Sequence, residues 1–172
     1  MTQFVTDTSS TTSRHVAAEV MHQFLAFRLE QELFAVEILR VQEIRGLTPI
    51  TPIPNSPEYI RGVMNLRGTI VPVFDLRTRF HLGEPSYDRF TVIIVVKIES
   101  RIVGLVVDAV SDVLDVSPES IAPPPDMGDR IDTSFLTGMI TKGDDIVLLL
   151  NLDVLLGSDS HIDLHTEDLC PA

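Results

Sequence analysis

The first part of the chain alternates between apolar and polar residues in a way that predicts a β-hairpin. Residues 24–29 (FLAFRL) place Leu25, Phe27 and Leu29 on one face, and the run LFAV at 33–36 follows the turn-like segment EQE. Because successive side chains of a strand point to opposite faces, this pattern indicates two antiparallel strands with one half-buried face.

A different spacing follows in the segment EILRVQEIRG. Ile38, Val41 and Ile44 recur every three residues, which predicts a short helical turn laid on a sheet, with Gly46 as its stop. The next ten residues, TPITPIPNSP, hold four prolines and therefore predict an extended loop.

The apolar segment YIRGVMNLRGTIVPVFDL, at 59–76, predicts a second hairpin. We expect strands near 59–64 and at 69–75, joined by a tight turn at Leu66-Arg67-Gly68. Pro72 cannot donate a hydrogen bond to a neighbouring strand, so its strand is expected at a sheet edge or at a bulge.

The same order of elements then repeats in the second half of the chain. A predicted hairpin (TVIIVVKIESRIVGLVV) is followed by valines at every third position (DAVSDVLDVS) and by a proline-rich loop (SPESIAPPP). A strand, a glycine turn, a strand and a short helix come last (FLTGMITKGDDIVLLLNLDVLL). Repetition of type and order over such a length predicts an internal duplication.

The two halves also match position by position. Gly62 aligns with Gly138, and the matched segments are 74–76 with 150–152 and 35–36 with 104–105. The alternative is the chance similarity that any strand-rich chain shows with itself. Short strands, two proline loops and the lack of a long helical pattern indicate an all-β fold, with two small barrels packed together, one from each half.

Composition and charge narrow the functional classes. With 172 residues, of which 44% are hydrophobic, the chain can form one compact domain. Thirteen Lys and Arg against 25 Asp and Glu give a net charge of −12, which disfavours binding to nucleic acid. The single cysteine, Cys170, cannot form an internal disulfide, which is typical of a reducing compartment.

The two ends of the sequence differ from its centre. The polar residues 1–20 and the acidic residues 158–172 are expected to be disordered tails. The first residues lack the basic and apolar regions of a signal peptide, and the longest apolar runs are five residues, too short to cross a bilayer. We therefore expect a soluble, cytoplasmic protein without direct membrane insertion.

Motifs for catalysis or metal binding do not stand out in the central part of the sequence. Of the five histidines only His81 lies well inside it, and no Gly-x-Ser-x-Gly, P-loop or Gly-x-Gly-x-x-Gly motif occurs. We therefore expect no enzyme, no metal and no cofactor. A minor alternative is a divalent ion held by the C-terminal segment through His161, Asp163, His165, Glu167 and Cys170.

Two Arg-Gly steps, Arg61-Gly62 and Arg67-Gly68, stand in the apolar segment, although guanidinium groups are rarely buried unless they are paired. Arg67 falls at the predicted hairpin turn, and the predicted helical turn before it supplies Glu43. Arg67 is thus either an internal partner of Glu43 or a contact for another protein. The two roles are compatible at the rim of an interface.

Four segments together resemble the CheW family of bacterial chemotaxis coupling proteins. They are VEILRVQEIRG at 36–46, YIRGVMNLRGTIVPVFDL at 59–76, GLVVDAVSDVLDVSPESIAPPP at 104–125 and FLTGMITKGDDIVLLLNLDVLL at 135–156. The resemblance implies a CheW-like domain over residues 21–157, with approximate halves 22–83 and 88–157. It also implies a fold of two five-stranded SH3-like barrels with short helices.

The resemblance implies a function as well. Proteins of this family are non-enzymatic adaptors that couple chemoreceptors, the methyl-accepting proteins, to a CheA-type histidine kinase. Their expected partners are the regulatory domain of the kinase and the cytoplasmic tip of the receptor. The expected location is the receptor array on the inner, cytoplasmic face of the membrane.

The family's contact residues fall on positions of this sequence. The resemblance implies a structural salt bridge between Glu43 and Arg67. It implies a receptor-binding groove between the barrels that includes Val41, Glu43, Arg67, Ile93 and Val110. It implies kinase contacts around Gly62, Asn65 and Gly68.

Two functions from other classes remain open. A small-ligand-binding double β-barrel would use the same apolar groove for a metabolite. A hydrolase would use the Asp-rich loop that holds Asp126, Asp129 and Asp132, although such loop clusters are more often solvated turns.

Overall fold

The computed structural model describes residues 21–84, 86–125 and 133–157, and ten strands make up most of this part of the chain. The strands are β1 (His22–Leu29), β2 (Glu32–Glu37), β3 (Val41–Gly46), β4 (Ile60–Leu66), β5 (Thr69–Asp75), β6 (Val92–Ile98), β7 (Arg101–Val107), β8 (Ala109–Val116), β9 (Leu136–Lys142) and β10 (Asp145–Leu150). Two short helices, α1 (Leu76–Arg79) and α2 (Leu152–Gly157), follow β5 and β10. Short 3₁₀ turns lie at Ile38–Arg40, Pro118–Ser120 and Thr133–Phe135. None of the helices in these ranges has the length and apolar character needed to span a bilayer.

The strands form two five-stranded sheets, and each sheet takes strands from both halves of the chain. Sheet 1 has the order β8-β1-β2-β10-β9, and sheet 2 has the order β3-β6-β7-β5-β4. The all-β prediction is confirmed, but the interpretation that each half builds its own barrel is wrong. The first hairpin of each half pairs with the last three strands of the other half: β1 and β2 join β8, β9 and β10, and β6 and β7 join β3, β4 and β5.

The edge strands of each sheet show whether the sheet closes into the expected barrel. Among the described residues, β8 does not pair with β9, and β3 does not pair with β4. Each described sheet is therefore open, because its two edge strands do not pair with each other and close it into a barrel. The boundaries 22–83 and 88–157 stay a prediction for the extent of the repeated units.

The register of the strands agrees with the duplication seen in the sequence. Val73 of β5 lies opposite Gly104 of β7 in a parallel ladder, and Leu149 of β10 lies opposite Ala35 of β2 in the other sheet. The antiparallel partners also match, because Gly62 faces Val73 and Gly138 faces Leu149. The aligned positions thus make the same pairings in the two sheets.

Apolar side chains form a central layer between the sheets and a smaller cluster on the far face of each sheet. The central layer includes Phe27 and Phe34 from sheet 1 and Leu105 from sheet 2, all fully buried. The neighbouring residues Phe24 and Ala26 of β1 are buried in the far-face cluster of sheet 1. Strand β1 therefore buries both faces over these positions, instead of the single face that its alternation predicts.

A β-bulge explains why the residues spaced three apart were misread as helical turns. Val41 and Ile44 of β3 lie opposite Val96 and Ile94 of β6, so three steps on one strand match two on the other. An inserted residue changes the side-chain period from two to three where the strand bulges. The same bulge occurs in β8, whose Val110 and Val113 lie opposite residues 27 and 25 of β1. The helical interpretation is therefore wrong for both segments, apart from the 3₁₀ turn at Ile38–Arg40.

Pro72 was expected at a sheet edge or a bulge, and the structure places it on an inner strand, at a point where that strand is locally an edge. Strand β5 lies between β7 and β4, but its ladder with β7 covers only residues 73–75. Pro72 faces Val63 of β4 on its other side. The missing N–H therefore falls where β5 has no second neighbour, and no ladder hydrogen bond is lost.

The proline loop between β3 and β4 packs directly on Gly62. Thr51 and Val63 exchange two backbone hydrogen bonds of 2.8 and 2.9 Å, which hold the loop against β4. A Cβ atom at Gly62 would lie 2.0 Å from the Thr51 carbonyl oxygen, and the φ angle of Gly62 is +141°. Only glycine fits this close approach without moving the loop.

Replacing Gly62 should therefore destabilise the fold. For Gly62→Ala we expect a loss of about 2–4 kcal/mol in the free energy of unfolding, because backbone strain and overlap with Thr51 act together. Gly46→Ala is the matched control, since nothing lies within 4 Å of its Cβ position, and it should change stability by less than about 0.5 kcal/mol. Denaturant unfolding of the three proteins measures both values, and equal stabilities would contradict the close-approach role.

Candidate functional site

The hairpin turn between β4 and β5 presents Arg67 to solvent. Arg67 and Gly68 have φ angles of +51° and +88°, the arrangement of a two-residue type I′ turn. The backbone N–H of Gly68 donates to Asn65 Oδ1 at 2.8 Å, which fixes the turn. The turn therefore holds the Arg67 side chain, which is 71% exposed, at the end of the hairpin.

Glu43 lies on β3 immediately after the bulge, and two guanidinium groups share its carboxylate. Arg67 Nη2 donates to Glu43 Oε2, and Arg45 Nη1 donates to Glu43 Oε1 at 3.3 Å. Partial burial raises the pKa of Glu43, but the hydrogen bonds from Arg67 and then Arg45 outweigh it, so the pKa lies below the ordinary value. The group is a carboxylate at neutral pH, and the three side chains together carry one positive charge.

Exposed apolar side chains lie beside this charged triad. Ile44, 45% exposed, lies between Glu43 and Arg45 on β3 but points to the opposite face of the strand, and Leu47 follows the strand with 41% exposure. Strand β3 is the edge of sheet 2. This edge of sheet 2 thus combines a fixed positive charge on one face with exposed apolar area on the other, a combination that can recognise a partner protein.

The other three residues expected in a receptor groove differ in strand and in burial. Val41 pairs with Val96 in sheet 2, and Val110 pairs with Phe27 in sheet 1. Both valines are partly buried against the central layer, at positions that the duplication makes equivalent. Ile93 is fully buried in the far-face cluster of sheet 2. Its expected role as a groove contact is wrong, because its side chain points into the core and a partner cannot reach it.

The residues expected to contact a kinase do not form a separate surface. Gly62 is buried under the proline loop, so it supports that loop and does not offer a contact itself. Asn65 and Gly68 are exposed, but they belong to the same turn as Arg67. The two contact sets that the resemblance implies therefore meet at one hairpin.

The sequence reasoning missed a second ion pair that corresponds to the first. Lys142 Nζ donates to Asp112 Oδ2 at 2.7 Å, and it joins the bulge of β8 to the hairpin between β9 and β10. The bulges align Asp112 with Glu43, and Val113, which is 51% exposed, with Ile44. Aligning the two halves of the sequence would have identified Asp112 as the counterpart of Glu43. It would not have identified Lys142, which lies one position earlier in its hairpin than Arg67 does in the other.

All the candidate metal and hydrolase residues lie outside the described part of the chain. The candidate metal ligands are His161, Asp163, His165, Glu167 and Cys170, and the candidate hydrolase residues are Asp126, Asp129 and Asp132. Within residues 21–84, 86–125 and 133–157, no group of His, Cys, Asp or Glu side chains could hold a metal ion.

Comparisons with known proteins agree with the fold and with the sequence motifs. A family model for the CheW-like domain matches residues 23–160. The chemotaxis protein CheW of Klebsiella aerogenes is 43% identical over 150 residues, which cover 87% of this chain and 90% of that protein. The chemotaxis protein CheW of Rhizobium meliloti is 42% identical over 139 residues, which cover 80% and 88%.

A solved structure resembles this chain over most of its length. The scaffolding protein TtCheW of Thermoanaerobacter tengcongensis superimposes with a TM-score of 0.74 at 38% sequence identity, covering 79% of this chain and 88% of that chain. These similarities favour an adaptor over a small-ligand-binding barrel.

The charged triad gives a testable titration. We expect the pKa of Glu43 to lie below the ordinary range and to rise in Arg67→Ala, because the stronger of its two hydrogen-bond donors is lost. Carboxyl NMR signals followed against pH measure both values. A Glu43 pKa that is the same in the two proteins would rule out the pair in solution.

The same shift fixes the sign of the pH dependence. Because the pKa of Glu43 is lower in the folded than in the unfolded protein, the pair stabilises the fold at neutral pH. That stabilisation is lost as the pH falls through the lowered pKa. The stability difference between the wild type and Arg67→Ala should therefore shrink on acidification.

Proposed function

Because the chain belongs to the CheW-like domain family, we propose that it is a non-enzymatic adaptor that couples chemoreceptors to a CheA-type histidine kinase in chemotaxis signalling. The adaptor acts by holding two proteins at once, so its chemistry is recognition without bond making. Its place of action is the receptor array on the inner face of the membrane.

The observation that carries the proposal is the triad of Glu43, Arg45 and Arg67 at the edge of sheet 2. Arg67 uses Nη2 for Glu43 and is 71% exposed, so its remaining N–H groups are open to a partner. Ile44 supplies exposed apolar area on the opposite face of the same edge strand. A helical receptor tip can lay one apolar face on this area while its charged residues meet the triad.

The charges of the triad serve orientation more than affinity. Arg67 lies at the exposed rim, where screening by water and salt limits the energy of an ion pair. Complementary charge there still speeds the encounter and rejects partners of the wrong sign. The apolar contacts around Ile44 and Val41 then supply the affinity.

The proposed kinase contact involves the hairpin turn and the loop that covers Gly62. Asn65 and Gly68 present exposed polar and backbone groups at the turn. Gly62 acts indirectly, since it allows the loop around Thr51 and Pro52 to lie close to β4. Substitution of Gly62 would disturb this contact by displacing the loop.

Signalling through such an adaptor requires states that differ in binding. A receptor shifts the activity of the kinase only if its signalling states hold the adaptor and the kinase with different affinities. The rigid hairpin and sheet edge suit this role, because small changes in a receptor helix then change the fit at a fixed surface.

Reversing the charge at Arg67 should weaken receptor binding. For Arg67→Glu we expect at least roughly tenfold weaker binding of a receptor tip fragment, since two carboxylates then face each other at the triad. The control is Arg101→Glu, which makes the same change at an exposed arginine, the first residue of β7. Calorimetric titration measures the affinities, and thermal unfolding confirms that each variant is folded.

The double variant Glu43→Arg/Arg67→Glu separates support from contact. It restores the internal ion pair with the charges exchanged, so the turn should regain its stability. Recovery of receptor binding as well would mean that Arg67 acts only as a support. Stable folding with binding still weak would mean that the guanidinium itself meets the receptor.

The coupling role is tested by titrating the full chain into the regulatory domain of a CheA-type kinase and into a receptor tip fragment, both from the same organism. We expect saturable binding to each, and a ternary complex when all three are mixed. A folded protein that binds neither would overturn the adaptor function.

A further inference from the structure

Arg61, from the first of the two Arg-Gly steps, is not part of the charged triad and lies instead over an aromatic ring. The guanidinium carbon of Arg61 lies 5.2 Å from the ring centroid of Tyr87, which is 38% exposed. Tyr87 Oη donates to Asp75 Oδ2 at 2.7 Å, and Asp75 is almost fully buried where it caps α1. Burial, followed by this bond to Asp75, raises the pKa of Tyr87, so the ring is held as a neutral phenol.

A second arginine lies on a second exposed ring in the same loop. The guanidinium carbon of Arg89 lies 4.8 Å from the ring centroid of Phe90, which is 55% exposed. Asp88 Oδ1 accepts from the N–H of Phe90 at 2.7 Å, and Thr91 Oγ1 accepts from the N–H of Asp88 at 2.9 Å. The loop of residues 86–91, here called the aromatic loop, is therefore ordered before any partner arrives.

The two arginines keep their charge available. Among the ion pairs of the described residues, none involves Arg61 or Arg89. A guanidinium that lies over a ring still presents N–H groups at its edge, where a carboxylate can bind. Preorganised aromatic rings flanked by arginine are the composition of strong contact sites. The matching ligand is an acidic segment with apolar side chains.

We propose that the aromatic loop, with Arg61, is the docking site for the chain's own C-terminal segment, residues 158–172. This segment, SDSHIDLHTEDLCPA, holds four acidic residues and no Lys or Arg, and it places Ile162 and Leu164 on either side of Asp163. Its carboxylates complement the two guanidinium groups, and its apolar side chains complement the exposed rings.

The position of α2 makes this docking possible. Helix α2 ends at Gly157 and contacts the 3₁₀ turn that holds Phe135. The guanidinium carbon of Arg79 lies 4.7 Å from the Phe135 ring and 4.6 Å from the Tyr59 ring, and Tyr59 leads into β4 two residues before Arg61. Fifteen residues can extend over about 50 Å, so a segment that starts at the end of this short helix, one element away from Phe135, can reach the aromatic loop.

Tethering also lowers the affinity that the contact needs. A segment joined to the same chain by a short linker is present at an effective concentration in the millimolar range, so a weak site is occupied most of the time. The C-terminal segment would then cover the aromatic loop, and a protein that binds this loop would have to displace it.

Cys170 allows a direct test, because it is the only cysteine of the chain. A nitroxide label on Cys170 of the full protein broadens the amide NMR signals of nearby residues, and chemical reduction of the label restores them. We expect a selective loss of intensity at residues 86–91 and at Arg61. High salt should reverse this loss, since it screens the charges. Unaffected signals in the aromatic loop would overturn the proposal.

Matched variants distinguish this contact from chance encounters. Arg89→Gln/Phe90→Ser should abolish the broadening of the aromatic loop, whereas Arg101→Gln/Ile146→Ser should leave it unchanged. The control removes an exposed arginine and an apolar residue, 53% exposed, from strands elsewhere. Broadening that survives the first variant would overturn the proposal.

Mixing two forms of the protein separates the chain's own segment from that of a second copy. One form carries the nitroxide without ¹⁵N, and the other carries ¹⁵N without the nitroxide. We expect no broadening in this mixture. Broadening as strong as in the singly labelled protein would mean contact between copies and would overturn docking within one chain.

Discussion

The central apolar layer depends on an exchange of strands between the two halves of the chain. Strands β1 and β2 complete sheet 1 beside β8, β9 and β10, while β6 and β7 complete sheet 2. Each sheet buries its inner face against the other sheet and the two short helices, and residues such as Phe34 and Leu105 belong to this shared cluster. Neither half can bury its apolar side chains alone, so the two sheets form as one cooperative unit. The position of every surface residue follows from this arrangement.

Bulges in the two edge strands convert this core into a functional surface. Each bulge lets a strand turn a valine toward the central layer and then set an acidic residue beside the neighbouring hairpin. Glu43 meets Arg67 in one sheet, and Asp112 meets Lys142 in the other. The common design comes from the duplication, while the different bases and their different exposure allow the two surfaces to diverge. Only the first adds a second arginine, Arg45, and so carries a net positive charge.

The sequence was sufficient for the hairpins and for the chemistry of one ion pair, because alternation and opposite charge act locally. Glu43 and Arg67 were paired on chemical grounds, and the structure contains that pair. The family resemblance placed Ile93 in a groove, and apolar patterning could not show that this side chain is buried. The glycine signal at Gly62 likewise marked a special backbone site without distinguishing a contact from a close approach. The exchange of strands was hidden, because it depends on pairings between distant segments.

The parallel ladder between β2 and β10 also affects how the chain can fold while it is being synthesised. It joins residues 33–35 to residues 147–149, so the first hairpin lacks its second neighbour until nearly the whole chain exists. At typical rates of synthesis on the ribosome, this delay is on the order of ten seconds. During that interval the apolar strand β2 has an open edge, of the kind that invites pairing with other nascent chains. The topology that makes the finished protein cooperative therefore creates its period of greatest exposure to chaperones and to aggregation while the protein is being made.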